Sequence, residues 1–121
     1  MKKKILVIED NEQDRIIIKR FLNKAGYEEI SMAETGEEGL KKADSEKPDL
    51  VISDTLLPGI DGFEVCKRIR EAQGATTPKI IIMTGTIDAV DAVKARKSGA
   101  DDYCAKTSDF SALLEAVKKL V

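Results

Sequence analysis

Five polar residues stand directly behind short apolar runs. They are the pair Glu9-Asp10 after Ile5–Ile8, Asp54 after Leu50-Val51-Ile52-Ser53, Thr84 after Ile80–Met83, and Lys106 after Tyr103-Cys104-Ala105. Any one of them has an ordinary explanation, since Asp is a common turn former and Thr a common strand residue. As a set they are three carboxylates, a hydroxyl and an ammonium. Two like charges about 5 Å apart at an effective dielectric near 20 repel by roughly 3 kcal/mol, so three converging carboxylates need a cation. Mg²⁺ suits them, because it takes one or two carboxylates, keeps several waters and completes its shell with a phosphate oxygen. An Asp kept ionised beside it can attack phosphorus and form an aspartyl-phosphate. Lys106 and Thr84 are of the right type to neutralise the remaining phosphoryl oxygens. In a loose phosphoryl-transfer transition state, such positioning and charge compensation carry the catalysis.

These residues converge only if the apolar runs are neighbouring strands. Ile5–Ile8, Leu50–Ile52, Ile80–Met83 and Tyr103–Ala105, with a weaker run at Glu29–Ala33, are rich in Ile and Val and do not alternate with polar residues. That is how strands buried on both faces read. Helical patterns lie between them, at about Gln13–Lys24, Thr35–Glu46, Gly59–Ala72 and Ile87–Lys97. In the last segment Phe110, Leu113, Leu114, Val117 and Val121 fall on one helical face, and Ser108 or Asp109 can cap its start. Glu9-Asp10 or Asn11 can cap the first helix, Gly26 and Gly99 sit at expected C-caps, and Pro48 and Pro78 precede strands. Strands joined by single helices are parallel, with right-handed crossovers. The fold class is therefore α/β: a doubly wound five-stranded parallel sheet, order 2-1-3-4-5, in a flavodoxin-like (βα)5 sandwich. Open sheets of this kind bind ligands beyond the carboxyl ends of their strands, where all five polar residues lie. Strand two ends in Ala33-Glu34, contributes no comparable group and belongs at an edge.

Composition narrows the function. At 121 residues the chain is expected to be one domain, residues 1–121. No histidine is present, which removes histidine-based triads, histidine-ligated zinc and a phosphohistidine on this chain. The two cysteines, Cys66 and Cys104, have neither metal spacing nor a pairing pattern and read as small buried hydrophobes. A net charge of −2 gives no nucleic-acid footprint. The Lys2-Lys3-Lys4 start resembles a signal peptide's basic region, but the following apolar run is too short for a secretory core or a membrane span. The expected location is cytoplasmic, with no membrane and no direct nucleic-acid partner. The loop Glu-Asp-Asn-Glu-Gln-Asp after the first strand would repel phosphate unless metal intervened, and no G-x-x-x-x-G-K-[ST] sequence occurs. Flavin and nucleotide carriers are thereby excluded.

Glu9-Asp10, the D-x-x-x-P-G of Asp54 to Gly59 with Asp61-Gly62 behind it, Thr84-Gly85, and Gly99-Ala100-Asp101-Asp102-Tyr103 leading to Lys106 resemble a two-component response-regulator receiver domain. The likeness runs through the whole chain, in order. It implies that Asp54 accepts a phosphoryl group from a sensor histidine kinase or a phosphotransfer protein. Asp10, Asp54 and the backbone carbonyl of Leu56 would hold Mg²⁺, with Glu9 nearby or acting through water. Thr84 would follow the phosphoryl group and Tyr103 would swing inward as it does, although a Tyr in a strand also reads as half-buried packing. The shift would remodel the face made by the fourth helix, fifth strand and fifth helix, which a downstream output protein or domain would read. A phosphorylation-dependent dimer is compatible with the resemblance. Phosphoryl transfer to Asp54 and its slow hydrolysis would be self-catalysed steps of a switch, not turnover by an enzyme. The alternative is a pseudo-receiver, a binding module that is not phosphorylated; such proteins lose the acceptor, the acid pair or the lysine, and none is missing here. A haloacid-dehalogenase-like phosphatase needs a second Asp two residues after the nucleophile, where this chain has Leu56.

Two positions depart from the family pattern. Thr107 stands where a proline, often after a cis peptide, usually follows the lysine. A cis bond before a non-proline costs roughly 2.5–4 kcal/mol, so a trans Lys106–Thr107 bond and an altered loop are expected, leaving the aim of Lys106 in question. Leu56 and Thr86 border the water that would hydrolyse the phosphoryl group, and Leu56 cannot orient it. A long-lived phosphoryl group is expected, and Leu56→Asn should shorten its lifetime; an unchanged decay rate in that variant would count against the idea.

Overall fold

A computed structural model describes residues 2–85, 88–107 and 109–121. Its strands are β1 (Lys4–Ile8), β2 (Glu29–Ala33), β3 (Leu50–Asp54), β4 (Lys79–Thr84) and β5 (Asp102–Ala105). They alternate with helices α1 (Glu12–Lys24), α2 (Gly36–Glu46), α3 (Gly62–Gln73), α4 (Ala89–Ser98) and α5 (Ser111–Leu120). The sheet is parallel throughout, in the order β2-β1-β3-β4-β5.

Ile5, Val7, Leu50, Ile52, Ile81 and Met83 point to one face, where Ile18 and Leu22 of α1 and Leu113 and Val117 of α5 cover them. Leu6, Ile8, Val51, Ile80 and Ile82 point to the other, against Ala43 of α2, Val65, Cys66 and Ile69 of α3, and Ala95 of α4. Both faces of the central strands are thus dry, which is why their sequences do not alternate. Cys66 and Cys104 are buried and unpaired; burial pushes the Cys66 thiol up and the Cys104 thiol up to about 12, so both behave as small hydrophobes.

Register decides which residues meet at the carboxyl edge. Ile8 lies opposite Ser53, Asp54 opposite Met83, and Thr84 opposite Ala105. Each next residue continues the ladder: Glu9 N–H donates to Ala33 O at 3.0 Å, Thr55 N–H to Met83 O at 3.0 Å, and Lys106 N–H to Thr84 O at 2.7 Å. Glu9, Asp54, Thr84 and Lys106 are held by this ladder along one rim.

Helix boundaries differ from the sequence reading where cap chemistry overrides apolar spacing. α1 begins after Asn11, whose Oδ1 accepts from Asp14 N–H at 2.9 Å. α3 begins at Gly62, not Gly59, because Asp61 caps it and Gly59 lies at φ +77° in the preceding turn. α4 is capped by Asp88; its expected start at Ile87 lies outside the described residues. The cap position of α5 is Phe110, in the left-handed region, and not Asp109; Asp109 Oδ1 instead accepts from Ser111 N–H at 3.1 Å. Ser108 lies outside the described residues. Gly99 is a left-handed C-cap as expected, whereas α1 ends on Ala25 with Gly26 following at φ +100°. α4 is the most lightly held helix: of its described residues only Ala95 is buried, while Val90 and Val93 are 68% and 49% exposed. Among the described residues no helix is long and apolar enough to cross a membrane.

Candidate functional site

Lys106 is the centre of the carboxyl edge. Its Nζ stands 2.9 Å from Asp54 Oδ2, 3.0 Å from Asp14 Oδ2 and 2.5 Å from Glu9 Oε1. The first two contacts are hydrogen bonds. The third is an ion pair too poorly directed to satisfy the buried Glu9 oxygen as a hydrogen bond. Glu9 is fully buried, and Asn11 N–H donates to its Oε2 at 3.0 Å. Burial pushes the Glu9 carboxyl up to about 7, with the Lys106 ammonium and the Asn11 amide pulling the other way and the Asp54 charge adding to the rise. Burial alone would lower Lys106, but the close contact with Glu9 and the hydrogen bonds to Asp54 and Asp14 outweigh it and hold the ammonium above its ordinary range.

Glu9, Asp10 and Asp54 each offer one carboxylate oxygen, and these oxygens lie within 4.8 Å of one another. Asp54 sits at the end of β3 almost fully buried, while the Asp10 side chain faces solvent. The donor set is anionic and all oxygen, which is the hard chemistry that Mg²⁺ accepts, and it lacks the nitrogen and sulfur donors that favour zinc. The residues fit a hard divalent cation.

Thr84 is buried at the end of β4 and lines a cleft of about 380 Å³ with Thr55, Leu56, Gly85, Asp61 and Lys94. Among the described residues the cis bond is Thr77–Pro78, ahead of β4, and the Lys106–Thr107 bond beyond β5 is trans. The loop is rebuilt around Thr107: its carbonyl accepts from Phe110 N–H at 3.0 Å, and its Oγ1 donates to Asp109 and accepts from Ser111 N–H. Lys106 reaches Asp54 despite the trans bond, so its aim does not depend on a proline.

The sequence model of the response regulator receiver domain matches residues 5–118. The chain belongs to the response regulator receiver family. Among relatives of this receiver, the alkaline phosphatase synthesis transcriptional regulatory protein PhoP of Bacillus subtilis is 44% identical over 106 residues, 88% of this chain and 43% of PhoP. The response regulator ArlR of Staphylococcus saprophyticus is 38% identical over 118 residues, 98% of this chain and 52% of ArlR. The receiver thus spans about half the length of the curated relatives it matches. Of solved structures, the response regulator TrrA of Thermotoga maritima, in complex with Mg²⁺-BeF, is 41% identical with a TM-score of 0.88, covering 100% of both chains. Chemotaxis protein CheY4 of Vibrio cholerae is 26% identical with a TM-score of 0.91, again over 100% of both. Receivers of this family serve two-component systems and are not classical enzymes.

Of the residues singled out in the receiver's sequence, Glu9, Asp10, Asp54 and Lys106 are brought into one cluster. Leu56 lines the cleft beside Thr84 and is 80% exposed; Thr86 lies outside the described residues. Tyr103 is half-buried on the α4 side of the sheet, and its hydroxyl is buried without a hydrogen-bond partner among the described residues. Asp14 was missed as a contact of Lys106. It was visible only as the last residue of an acidic loop, and the signal was its position in the first turn of a helix that rises over the end of β1.

Proposed function

We propose that this receiver is a phosphoacceptor switch in which Asp54 takes a phosphoryl group from a phosphohistidine of a sensor kinase or phosphotransfer protein. The observation that carries the reading is that Asp54 is held between two kinds of charge. Its carboxylate lies within 4.8 Å of those of Glu9 and Asp10, which with it could share a cation, and 2.9 Å from Lys106 Nζ. Glu9, Asp10 and Asp54, with the Leu56 carbonyl, would hold Mg²⁺, which when bound supplies neutralising charge to the phosphoryl oxygens and keeps Asp54 ionised. An Asp54 oxygen donates its lone pair to phosphorus. The new O–P bond forms as the P–N bond to the donor imidazole breaks, its electron pair staying on nitrogen. Lys106 and the Thr84 hydroxyl bind the equatorial oxygens. Leu56 offers no side-chain donor to orient water, which supports slow hydrolysis.

Thr84 is the residue that would report the phosphoryl group to Tyr103 and to α4. The light packing of α4 and the orphaned Tyr103 hydroxyl support a face that can shift. A downstream output protein or domain would read that face, residues 1–121 acting as a single domain in the cytoplasm. Dimerisation through α4 and α5 is compatible with this scheme. The non-phosphorylated alternative draws no support, since every member of the acceptor set is present and close.

Intact-mass spectrometry after incubation with acetyl phosphate and Mg²⁺ tests the reading. One phosphoryl adduct is expected, lost without Mg²⁺ and in Asp54→Asn. No wild-type adduct, sampled at times short enough to catch a labile one, would overturn it.

A further inference from the structure

An ammonium has three N–H bonds, and in this structure Lys106 faces three carboxylates: Glu9, Asp14 and Asp54. A phosphoryl oxygen on Asp54 competes with them for that ammonium, and the partner released most easily gives way first. Glu9 is fully buried and has nowhere to recover its solvation, and Asp54 carries the incoming group itself. Asp14 differs from both. Its side chain is 29% exposed, so water can replace the ammonium there at low cost. It also lies on α1, outside the group of carboxylates close enough to share a cation.

We propose that Asp14 is a positioning residue for Lys106 that competes with the phosphoryl group. It parks the ammonium across the site in the unphosphorylated protein and yields it during transfer. The inference rests on the phosphoacceptor reading above. Asp14 then lowers the phosphorylation rate twice over, by occupying Lys106 and by placing a negative charge beside an anionic donor. Only the first effect requires Lys106.

The test is the initial rate of adduct formation from acetyl phosphate with saturating Mg²⁺, in the wild type, Asp14→Asn, Asp14→Glu, Lys106→Met and the Asp14→Asn/Lys106→Met pair. A partly exposed ion pair and the tenfold-per-1.4 kcal/mol relation put the gain in Asp14→Asn at about 1.5–5-fold. Asp14→Glu, which restores the charge, should return to within about twofold of the wild type. In the Lys106→Met background the gain should shrink to the part that the Asp14 charge alone accounts for, because a coupled pair is non-additive. An Asp14→Asn rate equal to or below that of the wild type overturns the inference. So does a gain that persists undiminished in the Lys106→Met background, since a merely structural or long-range electrostatic effect would survive there. A wild type that forms no Asp54-dependent adduct overturns the phosphoacceptor reading and this inference with it. A normal wild-type adduct with unresponsive Asp14 variants overturns this inference alone.

Discussion

Lys106→Met is expected to slow phosphorylation of Asp54 by about 10²–10³-fold, the loss seen when one preorganised group facing developing charge is removed. The same substitution should weaken the fold in the absence of metal. Lys106 is only 17% exposed, and it is the cation facing Glu9, Asp14 and Asp54. Deleting one partner of such a buried pair costs about 3–5 kcal/mol, because the carboxylates are left uncompensated. The deficit should depend on pH, and its sign follows from Glu9. Burial holds the folded carboxyl above its ordinary value of 4.5, up to about 7. Between those values the folded state holds more protons than the unfolded one, so this group's contribution to stability falls as pH rises. Without the ammonium the rise in Glu9 is larger still, so Lys106→Met should be closer to the wild type at pH 6 than at pH 8. Adding Mg²⁺ should restore much of the loss by binding only the folded state. Chemical denaturation at both pH values, with and without Mg²⁺, measures all three effects. A variant as stable as the wild type at pH 8 without Mg²⁺ would show that the ammonium is not what holds the carboxylates together.

The fold was legible because its signals are local and redundant. Five short runs, three of them dense in Ile and Val, separated by helical spacing leave one sensible architecture, and the residue that closes each strand is printed in the sequence. The carboxyl-edge residues were legible for the same reason. Once the strands are parallel and in register, Glu9, Asp54, Thr84 and Lys106 must share a rim. Asp14 was not legible, because it comes from a helix and not from a strand end. Its reach to Lys106 depends on how α1 packs on the sheet face it shares with α5, which neighbouring residues do not encode. The start of α3 was missed for a different reason. Apolar spacing extends back through Ile60, but the chain needs Gly59 at positive φ and Asp61 as a cap before a helix can begin. Thr107 was legible as the sign of a trans bond, but not the aim of Lys106, which reaches Asp54 while the Thr107 hydroxyl and carbonyl organise the following loop.

Gly62→Ala should damage both stability and chemistry, although Gly62 bears no functional group. A Cβ there would fall 2.0 Å from the carbonyl oxygen of Asp54 and 3.1 Å from Ser53 Oγ. The first of these is backbone, and no side-chain rotation can relieve it. Gly62 N–H also donates to Thr55 O at 3.0 Å, so backing α3 away to make room would break the turn that follows the acceptor. Ala gains about 1 kcal/mol of helix propensity over Gly. Overpacking of a rigid core costs about 1–3 kcal/mol and more where backbone must move, so the net is a loss. The chemical effect is the larger one. A displacement of about 1 Å at a reacting group can cost 10²-fold in rate, and here the clash acts on the peptide that carries the nucleophile. Gly39→Ala is the matching control. Its Cβ would meet Ile8 Cδ1 at 2.3 Å and Cγ1 at 2.7 Å, side-chain atoms and not backbone, and Ile8 carries no part of the chemistry. Both variants should lower the unfolding free energy, but only Gly62→Ala should lose phosphorylation per folded molecule, measured by intact mass at a temperature where both remain native. Equal phosphorylation by the two would mean that Asp54 is held by its strand alone and that the close approach of α3 does not set its position.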